Sequence, residues 1–153
     1  MKRVIALLIA SVAGFAGWRY YSASYAPVQT YKEFAEHMLN GRYDKASALA
    51  DGLSPDALQK LGTQERIGAG PPMFQTIFPS TFTIETEEKD ADGTLTMHAT
   101  QLVRFNPAGI ESAVRPAMFA KMKQTTRMQQ KGGGWKVTAF ENTFDSMGSM
   151  GGR

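Results

Sequence analysis

Apolar positions along the chain follow two different periods, and the point where the period changes divides it. Residues 4–18, VIALLIASVAGFAGW, form an uncharged run behind Lys2 and Arg3. Residues 22–29, SASYAPVQ, are polar with a proline near their end and read as a short linker. From Thr30 the spacing is helical. Thr30 and Glu33 have the separation of a capping box, and Tyr31, Phe34, Met38 and Leu39 make one apolar face. Asn40-Gly41 stops that helix, and a second resumes with Tyr43, Ala46, Leu49 and Ala50 on one side before Asp51-Gly52. A third short helix is signalled by Ser54 as N-cap, Pro55 in the first turn and Asp56 at the positive end of the dipole. Leu58 and Leu61 are its apolar pair, and Gly62 is expected to end it. Residues 63–80 hold three prolines and two glycines, so they read as a connection. Met73, Phe74, Ile77 and Phe78 within it are expected to press against a sheet.

At Thr81 the period becomes two. Phe82, Ile84 and Thr86 alternate with polar residues, and Asp90-Ala91-Asp92-Gly93 is a hairpin turn signal. Leu95, Met97, Ala99, Val103 and Phe105 continue one face, and Asn106-Pro107-Ala108-Gly109 turns the chain. Over 117–130, Met118, Ala120, Met122 and Met128 take the even face, with Lys121, Lys123, Thr125 and Arg127 on the odd one. Four-residue spacing of Met118 and Met122 also suits a helix. The turn Lys131–Gly134 into WKVTAF decides for a hairpin. The expected class is α+β: two or three helices packed on a curved antiparallel sheet of about four strands. The domain is predicted over 30–145, with 146–153 as a flexible tail.

The leader at 1–21 has two readings. A cleaved export signal has this charged start and apolar run. A transmembrane anchor needs roughly 17–25 apolar residues, and positions 4–21 as a helix rise about 27 Å. Val4, Leu7 and Leu8 would sit in the hydrocarbon, Trp18, Tyr20 and Tyr21 at headgroup level, and Arg19 would snorkel outward. The small-x-small site at Ser24 and Ala26 is followed at once by Pro27, which opposes cleavage. A retained anchor is therefore preferred, with a cleaved, periplasmic product as the alternative. Either places the body outside the cytoplasm, and the expected location is a bacterial inner membrane, single-pass, with the N-terminus cytoplasmic.

Composition changes this picture little. The 153 residues contain no cysteine, which removes disulfides, thiolate metal sites and a cysteine nucleophile. The net charge of +3 is carried by Lys2, Arg3 and Arg19, and the remaining 14 basic and 14 acidic residues cancel. A neutral body argues against nucleic acid as a partner.

Two stretches resemble a known superfamily. The run FAEHMLNGRYDKASALA at 34–50 and the closing hairpin RMQQKGGGWKVTAFENTF at 127–144 are similar to the opening helices and final strands of nuclear-transport-factor-2-like proteins, the SnoaL-like or cystatin-like cone. The resemblance covers roughly 30–145. The long connection around Pro107–Pro116 and the proline-rich loop at 70–79 depart from it. It implies a helix-lined cone, and in exported members a homodimer paired through the sheets. Enzymatic members hold Asp, His, Tyr or Arg deep in the cone.

No such constellation is legible here. His37 lies beside the helical stripe and His98 alternates away from Met97, so both read as surface groups. Glu85, Glu87, Glu88, Asp90 and Asp92 lack the spacing of a calcium loop, and no phosphate loop or nucleophile elbow is present. No cofactor or metal is expected, and the chain reads as non-catalytic. Arg115, Lys121, Lys123 and Arg127, with Lys131 beside them, form a candidate patch for an acidic partner or anionic lipid, against a solvated strand face paired with the Glu85–Glu88 edge. The expected role is a membrane-anchored extracytoplasmic accessory or scaffolding protein that docks onto a membrane assembly or onto itself. The alternative is a small-molecule-binding or isomerase/hydrolase-like cone with a cavity lined by Phe82, Met97, Met118 and Trp135.

Overall fold

Tyr31, Phe34, Ala35 and Met38 recur at helical spacing, and all four are buried on one face of a single helix. The computed structural model describes residues 25–64, 80–105 and 118–149. Its element order is α1 (Ala26–Leu39), α2 (Tyr43–Ala48), α3 (Pro55–Gln64), β1 (Thr81–Lys89), β2 (Leu95–Phe105), β3 (Met118–Lys131) and β4 (Gly134–Ser149). The leader, the connection at 65–79 and the turn at 106–117 lie outside the described residues.

Helix α1 starts five residues before the capping box predicts. Pro27 sits in its first turn, where a missing N–H costs nothing, and its ring is fully buried. Thr30 is inside the helix and donates its hydroxyl to the Ala26 carbonyl at 3.0 Å, so it caps nothing. The other end behaves as read. Gly41 at φ +67° lets its own N–H reach Met38 O at 3.2 Å and that of Arg42 reach His37 O at 2.9 Å, a Schellman closure. Ser54 caps α3 through its hydroxyl and the Ala57 N–H at 3.2 Å. Gly62 does not end α3, which runs on to Gln64. A Cβ at Gly62 would stand 2.7 Å from the Tyr43 hydroxyl, so glycine there admits a phenol rather than breaking a helix.

The strands form one antiparallel meander in the order β1-β2-β3-β4. Both hairpin turns lie at the same end. At the second, Lys131 pairs Gly134 and leaves Gly132 and Gly133 as loop residues, both at positive φ as a type I′ turn requires. Three bulges bend the sheet. The register gives β1 one extra residue at Glu85, and β4 extra residues at Thr138 and Asp145. The first bulge moves Thr86 opposite His98, off the inner row shared by Phe82 and Ile84. Strand β4 also runs past the expected tail boundary: Met147 pairs Ala120 and Ser149 pairs Met118, so 146–149 is strand and not a loose end.

The helices lie on the inner face. Phe34 meets Phe140 edge-on at 5.1 Å and Tyr31 meets Phe82 at 5.6 Å. After α2, the Asp51 N–H donates to Val137 O (2.8 Å) and the Val137 N–H to Leu49 O (3.0 Å), which clips the helical layer onto the β4 edge. Among the described residues no helix is long and apolar enough to cross a membrane.

Candidate functional site

The inner face of the sheet has two halves of different character. Near the hairpin turns it is solid, with Leu95, Met97, Ala99, Met128, Trp135 and Val137 packed into the core under α1. The other half is hollow. Between the C-terminal part of α1, Tyr43, Gly62 and the strands lies a cavity of about 100 Å³, partly open to solvent. Its walls include Met38, Val103, Ala120, Met122 and Phe140, and Phe144, 40% exposed, stands among its lining residues.

Three amides face this hollow from three adjacent strands: Gln101 on β2, Gln124 on β3 and Asn142 on β4. Gln101 is 1% and Gln124 3% exposed. Buried amides require partners, and these find one another. Gln124 Nε2 donates to Gln101 Oε1 at 2.7 Å and to Asn142 Oδ1 at 3.0 Å. Gln124 Oε1 accepts the hydroxyl of Tyr31 from α1 at 2.5 Å. Gln101 Nε2 donates to Ser80 Oγ at 3.0 Å, and the Ser80 N–H donates to Glu36 Oε1 at 2.8 Å. The row is thus tethered to α1 at its middle, through Tyr31, and at its Gln101 end, through Ser80 and Glu36. Burial raises the Tyr31 pKa well above the usual phenol value, so the group stays protonated. Neutral donors fixed in an apolar hollow can hold a carbonyl oxygen or steady negative charge developing on one. Among the described lining residues there is no carboxylate and no imidazole.

None of the expected cavity residues lines the hollow. Met97 and Trp135 belong to the solid half, Phe82 packs on Tyr31, and Met118 lies at the β3 end opposite Ser149. The apolar members of each inward row are conspicuous in the sequence, and the polar ones between them are not. Gln101 falls in step between Ala99 and Val103, and Gln124 in step between Met122 and Met128. A polar residue on an inward row was the available signal.

The basic row is also rearranged. Lys121 and Lys123 share Asp145, at 3.6 and 3.0 Å, because the β4 bulge turns that carboxylate toward them. The hydrogen bond from Lys123 holds Asp145 below the usual carboxylate range, and Asp145 in turn raises Lys123. Lys131 pairs with Asp51. Arg127 is exposed and Arg115 lies outside the described residues, as do Val4, Leu7, Leu8, Trp18, Tyr20 and Tyr21 of the leader. His98 is on the outer face with Nδ1 3.1 Å from the Thr125 hydroxyl. His37 has a shielded Nδ1 with no partner among the described residues, and desolvation lowers its pKa, helped by Arg42. No group of three or more His, Asp or Glu that could hold a metal occurs among the described residues.

Neither a protein-family model nor a curated protein sequence matches the chain. Solved structures do. A hexachlorocyclohexane dehydrochlorinase (LinA) of type 2 superposes with a TM-score of 0.51 at 12% identity, over 86% of this chain and 91% of its own. A CaMKII hub homology domain from Chlamydomonas reinhardtii gives 0.52 at 15%, over 82% and 100%. A protein from Novosphingobium aromaticivorans described as a scytalone dehydratase gives 0.52 at 14%, over 94% and 93%. The chain shares the fold of these structures, which are cones of the nuclear-transport-factor-2-like kind. These matches correct the expectation of a non-catalytic chain. Two of the three carry enzyme names, so this scaffold hosts chemistry, and the lack of a legible constellation does not make the chain a non-enzyme.

Proposed function

We propose that the cone receives a small, largely apolar molecule in the hollow between α1, α3 and the sheet. One observation carries the reading: amides from three adjacent strands are turned inward at a partly open cavity whose other walls are mainly aliphatic or aromatic. Apolar walls with a few convergent polar groups are the usual make-up of a ligand site. A closed cavity of about 150 Å³ is known to take benzene, and this one, about 100 Å³ and partly open, suits a ring of about six or seven heavy atoms lying partly in its mouth. The neighbours' names support small-molecule use of the scaffold. The test is a titration of toluene followed at the methionine methyl resonances. Met38 and Met122 line the hollow and should shift saturably, while Met97 and Met128, in the solid half, should not. Uniform or absent shifts would overturn the reading.

The leader is proposed to remain as an anchor, with the cone outside the cytoplasm. Support comes from the uncharged run, its aromatic flank and the place where α1 starts. A cut after Ala26 would fall inside the first turn of α1, directly before the buried Pro27. Intact mass of the carbonate-washed membrane fraction should be that of the full chain. A soluble product lacking about 23–26 residues would contradict the anchor.

Self-association is a second reading, supported by the hub-domain match and by Phe144 and Met147, exposed at 40% and 44%. Sedimentation equilibrium in mild detergent should give a mass above that of one chain, and a monomer would end it.

A further inference from the structure

A row of three mutually bonded amides can be satisfied in two opposite senses, and the two senses turn opposite groups toward the cavity. In one, Gln124 gives its carbonyl to Tyr31 and its NH2 to the carbonyls of Gln101 and Asn142. In the other, every amide is turned over. Tyr31 separates them. Its side chain is fully buried, and among the described residues its O–H has one acceptor, Oε1 of Gln124. Turning the row over would set the NH2 of Gln124 against that O–H and leave a buried donor with nothing to receive it. Buried donors are rarely left so, whereas a carbonyl with one lone pair unused is common.

The sense fixed by Tyr31 decides what the floor offers. Both N–H groups of Gln124 are engaged within the row. Gln101 accepts from Gln124 and therefore points its NH2 away from it, and that NH2 has two hydrogens. One goes to Ser80 Oγ at 3.0 Å. Among the described residues the other has no acceptor, on a side chain that is 1% exposed and lines the hollow.

We propose that the second N–H of Gln101 is a ligand-binding donor, so that the pocket prefers small apolar molecules carrying a bare acceptor oxygen, such as a ketone or ester carbonyl. Gln101 is the residue that touches the ligand, and Gln124 and Tyr31 position it. This rests on the reading of the hollow as a ligand pocket.

A matched pair of probes separates the two claims. Cyclohexanone and methylenecyclohexane share a ring and differ by a carbonyl oxygen in place of a CH2. With the full chain in detergent, and affinities referred to free ligand, cyclohexanone should bind about 3- to 10-fold more tightly, the worth of one net hydrogen bond. It should also move the side-chain amide resonances of Gln101, which methylenecyclohexane should leave in place. Tyr31→Phe frees the row to turn over and should reduce the preference toward unity while both probes still bind. Gln101→Leu removes the donor while leaving the Tyr31–Gln124 bond in place and should abolish the preference outright. Equal affinities in the unaltered chain, or a preference that survives Gln101→Leu, would overturn the donor. Failure of both probes to shift Met38 and Met122 would overturn the pocket itself and the donor with it.

Discussion

Gln124 and Thr126 sit two residues apart on β3, both inward and both buried, and their polar atoms fare differently. The Gln124 amide is bonded through both its oxygen and its nitrogen, whereas Thr126 Oγ1 has no partner among the described residues. The asymmetry of hydrogen-bond energetics then predicts opposite outcomes. Thr126→Val replaces an unpaired hydroxyl by a methyl group and should leave stability unchanged or raise it by about 1 kcal/mol. Gln124→Leu strands the Tyr31 hydroxyl and should cost about 2–3 kcal/mol. Urea midpoints at unchanged m-value measure both. At His37 the folded-state pKa lies below the ordinary 6.5, because desolvation comes first and Arg42 and Lys45 add to it over the opposing Glu33 and Glu36. Its proton is then bound more weakly in the native chain. Stability should be full above about 6.5 and fall as pH drops below it, and His37→Gln should flatten that slope between pH 7.5 and 5.5. At this scale the sequence showed which rows faced inward but not which polar residues on them were meant to stay. An inward glutamine reads as noise in a hydrophobic pattern until its partners on other strands are known.

At the scale of elements the helical periods and turn residues were legible, because local chemistry sets them. Ser54, Gly41 and the Gly132-Gly133 turn act as their types predict. Errors came where tertiary contact overrode a local signal. Thr30 and Glu33 spell a capping box, yet α1 starts earlier because Ala26, Pro27 and Val28 have a core to pack against. Thr30→Ala should therefore change stability by less than about 0.5 kcal/mol, where loss of a true N-cap costs about 1 kcal/mol. A full cap-sized loss on thermal or urea unfolding would restore the capping box. Gly62 spells a helix end but serves Tyr43. The bulges were invisible, since an extra residue in one strand is defined only by its partner strand. Asp145 shows the consequence: expected as the last residue of the domain, it is a bulge that neutralises two lysines of the supposed basic patch.

For the whole molecule, the order of helices before strands and the antiparallel meander followed from the sequence, and the cone fold was suggested by resemblance and matched by solved structures. The location of the hollow did not follow, because a cavity is what remains after every element has packed. The four residues expected around it belong to the solid half or the margins. The leader is a separate matter, tested by mass and fractionation. The hollow between Met38, Val103, Ala120 and Met122 is proposed to be open to a guest. Diffraction from crystals of the chain held under xenon tests it most directly, since xenon enters apolar cavities of about this size. A xenon peak is expected within contact of those four side chains, and none among Met97, Met128 and Val137. Side chains filling that space, with no peak there, would contradict it.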